Sequence, residues 1–99
     1  MSRPLFLFIL LLLNLSSYAQ KKFTINGTIK DASTGETLIG ASIRAQGLSA
    51  LGTTTNSYGF YSLTPAEGEY TLLFSYIGYE TVVQKVSLQN NQTLNISLT

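Results

Sequence analysis

The stretch "DASTGE", residues 31–36, gathers more potential metal ligands than any other part of the chain. Asp31, Ser33, Thr34 and Glu36 offer hard oxygens of the type calcium takes, but calcium needs about six to eight of them. A polar turn around Gly35, free to take positive φ, accounts for the same residues, and no metal is expected. The chain contains no His and no Cys. That removes the usual base near neutral pH, the Ser-His-Asp and Cys-His nucleophile systems, and nearly all zinc sites. No glycine-rich phosphate loop precedes a Lys-Ser/Thr pair, and nothing in the spacing pairs a serine with Lys85. No catalytic residue, cofactor or enzymatic activity is expected.

The aromatic residues are the remaining candidates for recognition. Exposed rings stack on sugars, whereas buried rings hold a core together. Phe23, Tyr61, Tyr70 and Phe74 fall on positions that alternate with polar ones and are read as inward; Tyr58, Phe60 and Tyr76 are free to be exposed. In "SYIGYET", Gly78 interrupts a strand-like run between Tyr76 and Tyr79. The expectation is a bulge or bend at Gly78 that aims Tyr79 over the end of the fold, its hydroxyl bonded to nearby backbone. Tyr79 is therefore read as structural, and Tyr79→Ala as more destabilising than Tyr76→Ala.

The elements that position these residues are strands. In "FTINGTI", Phe23, Ile25, Gly27 and Ile29 share one face. "IGASIRA" places Ile39, Ala41, Ile43 and Ala45 inward and Ser42 and Arg44 outward; residues 47–52 read as a loop. "TTTNSYG" is a turn leading into "FYSL", and Pro65 and Gly68 bracket another loop. "EYTLLFSYI" carries apolar residues on both faces and is expected to be central or partly covered. Val82, Val86 and Leu88 mark the next strand, "QNNQ" a turn, and Leu94, Ile96 and Leu98 the inward face of the last strand. Six or seven short strands with this spacing predict an all-β fold, an antiparallel Greek-key β-sandwich. The Asn-x-Ser/Thr triplets at Asn26, Asn91 and Asn95 fall at outward strand positions.

Arg3 followed by the apolar run Leu5 to Leu13, then Ser17-Tyr18-Ala19, reads as a secretory signal over residues 1–19. Cleavage is expected between Ala19 and Gln20, leaving residues 20–99 as one domain. The run is too short to span a bilayer, which takes roughly 20 residues, and no Cys follows it for lipid attachment. Removing Arg3 leaves Lys21, Lys22, Lys30, Arg44 and Lys85 against Asp31, Glu36, Glu67, Glu69 and Glu80. That balance makes no basic face for nucleic acid or an anionic membrane. An exported domain without disulfides must rely on its apolar core, or on packing against something larger.

The ordered set Asp31, Gly35, Leu38, Gly40, Ala41, Gly59, Tyr61, Gly68, Tyr70, Gly78 and Tyr79 resembles the carboxypeptidase-regulatory-like domain. The resemblance runs from Phe23 to Leu98 and implies a transthyretin-like sandwich. It also implies structural roles for Gly35, Gly59, Tyr61, Gly68, Tyr70, Gly78 and Tyr79. Tyr58 stands where that family often has Asp or Asn, which implies a less tightly bonded turn. A leader ending in "AQKK" directly before the domain is similar to the N-terminal extension of TonB-dependent outer-membrane receptors, including the SusC-like nutrient importers. That likeness implies a periplasmic location, with the receptor's plug and barrel or a periplasmic or envelope protein as partner. No plug or barrel lies within these residues, so the expectation is a domain belonging to or derived from such a receptor. The alternatives are a freestanding secreted binding or adhesion module, for instance for carbohydrate, and an accessory domain beside a peptidase.

Overall fold

The computed structural model describes residues 20–99; the expected leader, ending at Ala19, lies outside the described residues. Those residues form eight strands and no helix. They are β1 (Ile25–Asp31), β2 (Ser42–Ala45), β3 (Leu48–Thr54), β4 (Phe60–Leu63), β5 (Gly68–Ser75), β6 (Val82–Leu88), β7 (Gln92–Thr93) and β8 (Ile96–Leu98). One sheet places β1 between β4 and the β7–β8 pair; the other runs β3-β2-β5-β6. The chain crosses between the sheets after β1, β3, β4 and β6, which gives the Greek-key path of a sandwich.

Alternation in the sequence becomes alternation in burial. Ile25 and Ile29 of β1 are fully buried, as are Leu72 and Phe74 of β5 and Leu98 of β8. β5 is central, antiparallel to β2 on one side and β6 on the other. The Tyr61 ring crosses the interface from β4 to meet Phe74 edge-on, with centroids 5.7 Å apart and planes at 68°. An edge-to-face pair of this kind contributes about 0.5–1.5 kcal/mol beyond the area it buries.

The last strand approaches β1 in an unusual way. β4 is antiparallel to β1, but β7 and β8 run parallel to it, because they arrive by a crossover from the other sheet. They are two pieces of one edge, interrupted at Leu94-Asn95. At the break the Leu94 amide donates to the Asn26 carbonyl (2.7 Å), and Asn95 Oδ1 accepts from the Thr28 amide (3.0 Å). Gly27 makes the approach possible: a Cβ there would sit 2.0 Å from the Leu94 carbonyl oxygen.

Two local expectations are corrected. Residues 47–52, read as a loop, belong largely to β3, which pairs antiparallel with β2. Small and glycine residues hide this strand, because its pattern comes from backbone pairing and not from a buried face. Ile39, read as inward, is 57% exposed, and Leu38 is buried in its place. The buried Thr55 hydroxyl donates to the Leu38 carbonyl (2.6 Å) and accepts from the Ala41 amide (2.9 Å). That clamp makes residues 38–41 a bend, and the period of two begins only at Ala41.

Candidate functional site

One end of the sandwich collects the β1–β2, β3–β4 and β5–β6 connections and the end of β8. Asp31, the last residue of β1, organises it. Its Oδ1 accepts from the Ser33 amide (2.7 Å), the Ser33 hydroxyl (2.6 Å) and the Thr34 amide (3.0 Å). Its Oδ2 accepts from the Tyr79 hydroxyl at 2.6 Å. The Ser33 hydroxyl, then the Tyr79 hydroxyl and the two amides, hold the Asp31 carboxyl well below the usual carboxylate range. The same bond raises the Tyr79 phenol, since losing its proton would put two anions side by side.

Three of the oxygens that resembled a calcium set therefore build a side-chain-capped turn, in which Asp31 Oδ1 and Thr34 Oγ1 accept and the Ser33 hydroxyl donates. The Gly35 amide closes it onto the Asp31 carbonyl (2.9 Å), and the Glu36 amide bonds the Thr34 hydroxyl (3.2 Å). Among the described residues no group of three or more acidic side chains comes together as a metal would require.

Of the bulge or bend expected at Gly78, the structure has the bend, a tight turn. The Tyr79 amide donates to the Tyr76 carbonyl (3.1 Å), and Gly78 has φ of 89° while among the described residues no other type of residue has positive φ. Positive φ at the third of four turn residues only is the type II arrangement. The expected partner of the Tyr79 hydroxyl differs: it is the Asp31 carboxylate and not backbone. Tyr79 and Tyr76 pack together, centroids 5.8 Å apart, and both lie half-buried against the core. Ile77 at the turn's tip is 96% exposed.

The tyrosine that bonds backbone across the sandwich is Tyr61. It is 1% exposed, its hydroxyl donates to the Leu94 carbonyl (2.7 Å), and burial pushes its phenol up to about 12. Tyr70 folds back over Gly68, and its hydroxyl donates to the Ala66 carbonyl. At the β3–β4 turn, Gly59 has φ of 74°, and a Cβ there would meet Thr37 Cβ at 2.6 Å. That turn is tightly bonded despite Tyr58. Asn56 Oδ1 accepts from the Tyr58 (2.9 Å) and Phe60 (3.1 Å) amides, leaving Tyr58 78% exposed.

Sequence reasoning missed a set of polar residues that hold strands together: Asn56, Thr55, Asn91 and Asn95. Asn91 Oδ1 accepts from the Thr24 amide (2.9 Å), and Thr93 Oγ1 bonds Asn26 Oδ1 (3.0 Å). The available signal was Asn recurring in the triplets around the last strand, which reads equally as outward polarity.

The family description CarboxypepD_reg-like domain matches residues 25–99. Comparison with curated proteins finds no match. Among solved structures, a DUF3823 family protein from Parabacteroides merdae is similar, with 16% identity and a TM-score of 0.58 over 82% of this chain and 47% of that one. The Bacillus anthracis TIE protein is similar at 21% identity and a TM-score of 0.59, over 79% and 16%. The pilus 2b backbone protein of group B streptococcus shares 22% identity at a TM-score of 0.53, over 76% and 41%. At these identities the likeness is one of fold, and the chain spans less than half the length of each of these structures.

Proposed function

The chain belongs to the family of CarboxypepD_reg-like domains, and on that premise we propose that it is a non-catalytic interaction domain working in the periplasm. We assign it to the N-terminal extension of a TonB-dependent outer-membrane receptor for nutrient uptake, where it contacts the receptor's own plug or a periplasmic partner. The observation that carries this reading is the engagement of Asp31. All four hydrogen bonds its carboxylate accepts come from the domain itself, so the most chemically active oxygens serve the loop end. The export-type N-terminus supports the location. The exposed Tyr58 favours one second reading, a freestanding secreted binding or adhesion module that stacks a sugar on this ring.

The test is cell fractionation with mass spectrometry of the mature N-terminus. The expected result is outer-membrane or periplasmic material beginning at Gln20 or its cyclised form, on a reading frame that continues into a plug and barrel. Cytosolic protein retaining Met1 would overturn the location. An exported domain ending in a stop codon, with glycan binding lost on Tyr58→Ala, would transfer the assignment to the second reading.

A further inference from the structure

The four sheet margins are guarded unequally. β4 has four residues, the β7–β8 margin is broken at Leu94-Asn95, and β6 carries Lys85. β3 has seven residues, "LSALGTT", with no charge and no proline. Among the described residues its only hydrogen-bonded neighbour is β2. The Thr55 amide donates inward to the Ala41 carbonyl (2.9 Å), so by the two-residue alternation of an antiparallel ladder the backbone groups of Gly52 and Thr54 face away from β2. An uncharged edge with free donors and acceptors is a template for another strand.

An open groove of about 310 Å³ lies over the outer face of β2 and β3, lined by Ser42 and Arg44 of β2 and by Ser49, Gly52 and Thr54 of β3 among others. Ser49 and Ala50, which stand outside the β2 register, also line it. Arg44 is its charged member. It pairs with Gly52, and a Cβ on Gly52 would lie 3.4 Å from Arg44 Cγ, so the arginine stem runs across the place a side chain would fill. The absent side chain leaves the guanidinium a route to the open margin.

We propose that β3 is a strand-addition site for an extended peptide segment carrying an acidic residue opposite Gly52, read by Arg44. Main-chain bonds to Gly52 and Thr54 supply affinity, and the guanidinium–carboxylate pair supplies register and choice of partner. A second copy of this domain suits the margin less well, because edge-to-edge pairing centred on Gly52 brings two Arg44 side chains to one seam. The proposal rests on the interaction-domain reading and names its contact surface.

The experiment uses the exported domain, residues 20–99, with folding of the sample confirmed by its amide spectrum. The probe is a short alternating threonine–valine peptide with one central glutamate; a lysine-centred twin is the control. Amide hydrogen exchange followed by NMR should show Gly52 and Thr54 unprotected in the free domain and protected by the glutamate peptide. The lysine peptide should bind at least about tenfold more weakly, and Arg44→Glu should reverse that order. Thr54→Pro, which removes an outward donor, should weaken both peptides. Protection appearing on β6 or the loop end, equal binding of the two peptides, or no binding would overturn the proposal. So would protection that rises with protein concentration alone, since the occupant would then be a second copy. None of these outcomes touches the fractionation result, so the two readings fail separately.

Discussion

Asp31 and Tyr79 form a pair in which the anion holds the phenol's proton and the phenol helps keep the carboxyl ionised. With the folded-state pKa depressed, stability from Asp31 is present above the unfolded value and is lost as pH falls through the folded one. Carbon-detected NMR titration should place the Asp31 carboxyl clearly below the usual range of about 3.9, and Tyr79→Phe should move it back up. An unchanged titration in Tyr79→Phe would mean the hydroxyl bond contributes nothing. Tyr61 has the opposite sign. Its raised value means that the folded phenol keeps its proton while the unfolded one releases it, so stability falls as pH rises from about 10 towards 12. Denaturant melts should show that alkaline loss flattened in Tyr61→Phe. At neutral pH that variant should lose about 1 kcal/mol for the Leu94 bond, and Tyr61→Ala about 3–5 kcal/mol with the core ring gone.

At the scale of the elements, Gly27 and Gly78 separate two uses of glycine. Gly78→Ala meets nothing within 4 Å, and its cost is that of an L-residue at φ of 89°, about 1–2 kcal/mol. Gly27→Ala drives a methyl into the Leu94 carbonyl and must push β7 and β8 off β1. Melts should show Gly27→Ala as clearly the more damaging; near-equal costs would contradict the close approach. Gly27 was legible as an inward position of β1, but its carbonyl neighbour lies 67 residues on in sequence, where no local pattern reports it. The same limit explains the other differences. β5 was readable because its alternation is local, and Tyr61 because it alternates with Phe60 and Ser62. The partner of Tyr79 was not, since Asp31 ends β1, 48 residues away in sequence. The parity at Ile39 was set by Thr55, from another loop.

The sandwich is closed by its first and last strands. β8 lies on β1, so the first strand of the sandwich is completed only when residues 96–98 arrive. Leu98 is fully buried, its carbonyl accepts from the Ala32 amide (2.9 Å), and the Thr99 carbonyl accepts from the Glu80 amide (2.7 Å). The final residues thus tie the β1–β2 and β5–β6 connections together at the loop end. With no disulfide to hold a partial structure, removing them strips a buried leucine from the core and leaves the end of β1 without its parallel partner. Burying a leucine contributes about 1.5–3 kcal/mol, and each buried main-chain group left unpaired costs about 1–3 kcal/mol more. Those losses together reach the scale of a small domain's entire stability, about 5–15 kcal/mol. A chain ending at Asn95 should therefore lack a cooperative thermal transition by circular dichroism, and dispersed amide signals should appear only once Leu98 is restored. Joining the first strand to the last across so much sequence also predicts refolding in milliseconds to seconds, as in sandwiches generally. Stopped-flow fluorescence of the tyrosines measures that rate. A truncated chain that still melts cooperatively would show that the β1–β8 pairing is peripheral and that the remaining strands hold the sandwich by themselves.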